Sequence, residues 1–243
     1  MRLVVRDFAT GASRCAILVS LPLTSAAVSF EAGQCSMNSR TIATEIVALG
    51  GILASYPLDW MAQRAERLGF IATSEPVVLV HGLGGSRANL LGLAIHLRMA
   101  GFDNIAYFEY PRWQPIAQSA ERLGRVVEEY DDGCGVNLVG HSLGGTIARA
   151  YVAGAPRSRV RSFISLGSPY LYTQYSSREL AIFGDQDPIV PAPMKLLTSP
   201  FAFGRIEILE HTGHLALLYH PEVLRIVGTE LRANRAAQNA RAA

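Results

Sequence analysis

Ser142 lies in the run Gly140-His141-Ser142-Leu143-Gly144, directly after the strand pattern Val136 to Val139 and before a helical pattern. This is a G-x-S-x-G arrangement in a strand–turn–helix setting. A serine on so sharp a turn needs neighbours without Cβ atoms, because the flanking chain passes close. At a helix start, unpaired N–H groups and the positive dipole end favour developing negative charge. Those are the surroundings a nucleophilic oxygen requires. The hydroxyl stays a poor nucleophile until a base takes its proton, so the six histidines are the residues to weigh.

His81 and His141 belong to glycine-rich loops and are expected to orient them. His96 falls inside a helical pattern. His211, His214 and His220 follow the last apolar run. His214, with Gly213 before it and an apolar segment after, is the favoured base, and His211 is the runner-up. His220 precedes a helix whose first residue is Pro221, a position that suits proline. A carboxylate partner would fix the tautomer of the base and stabilise the imidazolium. Between serine and histidine the loop Gly184-Asp185-Gln186-Asp187-Pro188-Ile189-Val190-Pro191 offers two. Pro188 and the apolar pair after it pin the backbone of Asp187 and favour it, yet turn chemistry alone would also account for either aspartate.

A second glycine-rich loop, His81-Gly82-Leu83-Gly84-Gly85, follows Val77 to Val80. It has neither the lysine nor the spacing of a phosphate-binding loop. It suits a pocket in which backbone N–H groups, those of Leu83 and Leu143, meet an oxyanion. His81, Trp113 and Tyr170 are candidates for contact with substrate, Trp113 from the run Tyr110 to Trp113 and Tyr170 from a bridge that also holds Tyr172 and Tyr175. No metal or organic cofactor is implied by this chemistry.

These loops need a scaffold. Apolar runs at Val77–Val80, Asn104–Phe108, Val136–Val139, Val160–Leu166, Leu180–Phe183 and Ile206–Leu209 read as strands. They alternate with helical patterns at Ser86–Met99, Ile116–Tyr130, Leu143–Ala153 and Pro221–Arg232. Such alternation predicts an α/β fold, a mostly parallel sheet covered by helices on both faces. Reactive groups then collect on loops leaving the carboxyl ends of the strands.

Together, His81 to Gly85, Gly140 to Gly144, Gly184 to Pro191 and Gly213-His214 resemble the α/β-hydrolase superfamily, and within it small bacterial triacylglycerol lipases and esterases. The resemblance spans Pro76 to Leu231. It implies a Ser142–Asp187–His214 triad, an oxyanion hole at Leu83 and Leu143, and cleavage of carboxylic esters, small or lipid. Thioester cleavage, acyl transfer or a catalytically silent binding role are the alternatives. Only Gly167 to Glu179 bridges the strands between which many relatives insert a cap, so the site is expected to be lidless.

The rest of the chain is apolar without visible chemistry. Of 243 residues 49% are hydrophobic and 17% charged, and the net charge of +2 leaves no electrostatic footprint for nucleic acid. The order Arg2, Arg6 and Arg14, apolar Cys15 to Leu23, then Ser25 to Ala27 resembles a secretory signal, with Asp7 and Pro22 as departures. A secreted, periplasmic or membrane-associated protein would follow; a plain leader upstream of Met37 would leave it cytoplasmic. Residues 1–36 thus read as a leader, 37–75 as a helical extension and 76–243 as the catalytic domain. Within the extension, Ile42, Ile46, Leu49, Leu53 and Tyr56 recur at helical spacing, which predicts a helix over 42–58 docked by that face. A membrane anchor is the alternative. Cys35 and Cys134 would remain as a candidate disulfide pair in an oxidising compartment.

Overall fold

The computed structural model describes residues 37–66, 74–131, 133–170, 178–192 and 204–242. The leader with Cys35, and Tyr172 and Tyr175 in the bridge, lie outside the described residues.

Among the described residues six strands form one parallel sheet: β1 (Val77–Val80), β2 (Ile105–Phe108), β3 (Val136–His141), β4 (Val160–Leu166), β5 (Glu179–Gly184) and β6 (Arg205–Leu209). Their order across the sheet is β2-β1-β3-β4-β5-β6, and every pairing is parallel. The central strands are buried on both faces, which is why β1 and β5 read as apolar runs rather than alternating ones, and the polar side chains inside β3 and β4 pair with each other, Ser162 donating to Asn137. In β1, Val77 and Leu79 enter one core with Leu93 and Leu97, while Val78 and Val80 enter the other with Leu123 and Ile147. That is the period-two geometry of a strand.

On the first face lie α1 (Ser39–Glu66), α2 (Leu91–Met99) and α5 (Pro221–Ala242); α3 (Ile116–Tyr130) and α4 (Leu143–Gly154) cover the second. In α3, Ser119, Ala120, Leu123 and Val127 face inward at helical spacing. The expected helix from Ser86 begins as a 3₁₀ turn over Arg87–Leu90, where Ser86 and Asn89 form a reciprocal capping box. From Pro221, α5 runs on past the expected end at Arg232.

The docked face of α1 is the opposite of the one that its hydrophobic periodicity predicts. Ile42, Ile46, Leu49, Leu53 and Tyr56 are all exposed, Ile46 to 66%. The stripe turned inward is Thr41, Ala48, Ile52 and Ser55, with Glu45 half-buried in the same row. Small side chains let the helix approach closely: a Cβ on Gly51 would stand 3.5 Å from the Tyr219 ring. Asn38 caps the helix by accepting the Thr41 N–H at 2.9 Å. Among the described residues no helix is long and apolar enough to cross a membrane.

Candidate active site

The chain leaves β1 for the edge strand β2, then crosses back to β3 on the other side of β1. The loops at the carboxyl ends of β1 and β3 therefore lead to helices on opposite faces, α2 and α4, and such a switch point is the usual place for ligands in this kind of sheet. The two serine-site loops of the sequence are those loops.

Ser142 joins β3 to α4 with φ +53° and ψ −124°, a conformation rare for a residue with a side chain. Such strain costs on the order of 1–3 kcal/mol and persists only where its surroundings enforce it. Here the Ser142 N–H is held by the Leu166 carbonyl at 2.8 Å. The flanking glycines are steric necessities. A Cβ on Gly144 would fall 2.3 Å from the Val80 carbonyl oxygen, and one on Gly140 2.6 Å from the Gly145 backbone.

In the facing loop the Gly82 carbonyl accepts the Gly85 N–H at 3.1 Å. Gly84 has φ +70° at the third position of that turn, where a left-handed residue is needed. Leu143 is the first residue of α4, where a helix supplies no acceptor for its N–H. His81 is buried and holds this loop rather than facing solvent. Its Nδ1 donates to the Gly82 carbonyl at 2.8 Å, and its ring stacks on Tyr110 at 4.6 Å. The Tyr110 hydroxyl donates to the His81 carbonyl at 2.9 Å, and burial pushes that phenol's pKa up.

Asp187 is fully buried after β5. Its Oδ1 accepts the N–H groups of Ile189 and Val190, both at 2.8 Å, so these backbone donors hold its side chain. Its Oδ2 accepts from His214 Nδ1 at 2.6 Å. Gly167, whose neighbour Leu166 holds Ser142, abuts this pair. A Cβ there would lie 3.2 Å from both Asp187 Oδ2 and His214 Nδ1. The serine loop and the Asp–His pair therefore meet across residues 166–167.

His141 ties them again. Its ring lies 4.7 Å from that of His214, and its Nε2 donates to the His214 carbonyl at 3.2 Å. Burial, then the charges of His214 and His81, push its pKa down to about 3. The accepting carbonyl requires that the His141 Nε2 carry a proton.

The competing residues have other partners. Asp185 accepts the Thr212 N–H at 3.2 Å, joining the acid loop to the histidine loop. His211 accepts from the side chains of Asn38, just before α1, and of Gln186 in the acid loop. His220 accepts the Glu222 N–H at the start of α5. Trp113 is 85% exposed beside Arg112, whereas Tyr170 covers the Arg149 guanidinium at 4.1 Å and packs on Phe183. Arg149 was no part of the sequence expectation. It is wholly buried in α4, bridges Glu179 at 2.9 and 2.6 Å, and donates to the Pro169 carbonyl. It thereby ties the segment after β4 to the helix that follows Ser142. An arginine within an apolar helix and a glutamate opening an apolar strand were its sequence signal. Among the described residues no three His, Cys, Asp or Glu side chains are grouped as ligands of a metal ion.

The family model for palmitoyl protein thioesterase matches residues 76–179, which include Ser142 and end before Asp187. Three solved structures are similar to the chain. An alpha/beta hydrolase enzyme from the metagenome of Mar Chica lagoon sediments, Morocco, is 19% identical over 68% of this chain and 93% of its own, with a TM-score of 0.55. A membrane phospholipase A described as a bacterial virulence factor is 14% identical over 80% and 97%, also at 0.55. A thermophilic esterase from Thermogutta terrifontis is 15% identical over 67% and 91%, at 0.54. The chain has the α/β-hydrolase fold.

Proposed function

We propose that the protein is a serine hydrolase that cleaves carboxylic esters of aliphatic acids through an acyl-enzyme on Ser142. The observation that carries this reading is the buried Asp187–His214 hydrogen bond, which packs on Gly167, the residue after the one that holds the Ser142 N–H. His214 Nε2 takes the Ser142 proton as Oγ attacks the acyl carbonyl, and Asp187 stabilises the imidazolium. The N–H groups of Leu83 and Leu143 receive the oxyanion. His214 then protonates the departing alcohol, and water repeats the sequence to release the acid and regenerate the serine. Leu83 is 61% and Ile189 58% exposed on two of the site loops, an apolar surface suited to an aliphatic chain.

A thioester is the second reading, favoured by the palmitoyl protein thioesterase match over residues 76–179. The same steps apply with a thiol as the leaving group. A fluorophosphonate probe should label the wild type and spare Ser142→Ala. Oxygen esters and thioesters carrying the same acyl chains, graded in length, then separate the two readings. No Ser142-dependent labelling and no turnover would leave a hydrolase-like binding protein instead.

A further inference from the structure

Asp187 is one of several partners that hold the histidine loop. The peptide unit joining His214 to Leu215 is gripped on both sides. Its carbonyl accepts from His141, and its N–H donates to Glu45 Oε2 at 3.0 Å. The next N–H, of Ala216, donates to Glu45 Oε1 at 2.7 Å. Glu45 lies on α1, 170 positions away in the chain. Both carboxylate oxygens are thus spent on backbone donors directly after His214, in charge-assisted bonds of the stronger kind. Gly213 makes room for this: a Cβ there would stand 2.6 Å from Glu45 Oε1. The same helix reaches the acid loop, since the Asn38 N–H and the Thr41 hydroxyl both donate to Gln186 Oε1, next to Asp187.

We propose that Glu45 is a positioning residue for His214: its carboxylate fixes the backbone of the histidine loop so that the imidazole keeps its approach to Ser142. The role rests on the reading of His214 as the base. It also accounts for the inward turn of Glu45, which hydrophobicity alone would turn outward. Without Glu45 two backbone donors lose their partner, and the loop is free to shift. A displacement of about 1 Å at a catalytic group can cost about 10²-fold in rate.

The test uses the full chain with a p-nitrophenyl ester and a fluorophosphonate probe. Glu45→Ala should lower kcat and the labelling rate by roughly 10- to 100-fold while KM changes far less. Glu45→Gln keeps the volume and one acceptor oxygen, so its loss should be intermediate. It carries the test alone if the alanine variant fails to fold. In a His214→Ala background, Glu45→Ala should leave the residual rate unchanged, because the group it positions is gone. An equal fold-loss with and without His214, or unchanged kcat in both Glu45 variants, overturns the positioning role. Absence of Ser142-dependent labelling in the wild type strikes instead at the hydrolase reading beneath it.

Discussion

Asp187→Asn separates the orientation of the base from the folding of its loop. Both loop N–H groups bond Oδ1, and His214 bonds Oδ2. An asparagine with its oxygen at the Oδ1 position keeps both loop bonds and presents its NH₂ to His214 Nδ1. The reversed amide would aim NH₂ at two donors and is excluded by repulsion. An NH₂ group only donates in such a contact, so Nδ1 must become the acceptor and the ring proton moves to Nε2. The nitrogen that should take the Ser142 proton then already carries one. The expected loss is about 10⁴ in kcat, which at about 1.4 kcal/mol per tenfold is about 5–6 kcal/mol of transition-state stabilisation. Asp185→Asn should stay within about tenfold, since an amide oxygen can still accept the Thr212 N–H. Steady-state hydrolysis of a p-nitrophenyl ester by both variants, with urea unfolding alongside, measures this. Retention of more than a tenth of wild-type kcat in Asp187→Asn, or greater damage from Asp185→Asn, would refute the argument.

Four other outcomes are expected. Because the base must be neutral, kcat/KM should rise with pH through one deprotonation and then level; a flat profile from acid to alkali is incompatible with a histidine base. His141, with a folded pKa of about 3 against an ordinary 6.5, leaves the unfolded chain to bind the proton first as pH falls. Its contribution to stability is complete above about pH 6.5 and is lost towards pH 3, at up to about 1.4 kcal/mol per pH unit. Urea unfolding at pH 7 and 5 should show a shallower slope in His141→Gln than in wild type, and equal slopes would contradict the assignment. Arg149→Met strands the buried Glu179 and should cost about 3–5 kcal/mol by denaturant unfolding, with Arg149→Met/Glu179→Gln recovering part of it; a double variant no better than the single would show that the stranded charge is not the cause. On α1, Ile52→Ala should cost about 2–5 kcal/mol and Ile46→Ser no more than about 0.5 kcal/mol, and the reverse order would mean that the helix docks by its other face.

The serine loop and the strands were legible because each is dictated locally. Glycines around Ser142 answer contacts within the turn and with the adjacent strand, and β1 and β5 announce their burial by the apolar runs Val77–Val80 and Leu180–Phe183. Asp187 was favoured on local grounds, and its bonds to Ile189 and Val190 are local too. The inward face of α1 was not legible. Its apolar stripe is the stronger periodic signal, and periodicity reports a helix without saying which face finds partners. Thr41, Glu45 and Ser55 turn inward because polar partners and close approach await them on distant segments. Glu45 in particular pairs with backbone N–H groups, which carry no residue-type signature. Arg149 and Glu179, 30 residues apart, were hidden for a related reason: each looks like an isolated charge in an apolar element until β5 is laid beside β4.

The long-range tether from α1 to residues 215 and 216 also has a temporal meaning. The Ser142 N–H is held within the span from β3 to the end of β4, whereas the segment after His214 is held by a helix 170 residues earlier. Closing so long a loop is entropically slow and comes after nearby contacts have formed. On this wiring the sheet and its nucleophile can mature first, and catalytic competence arrives as a separate, later event. The same order in reverse makes activity the earliest casualty of partial opening: undocking one helix would silence the site while the sheet stays folded.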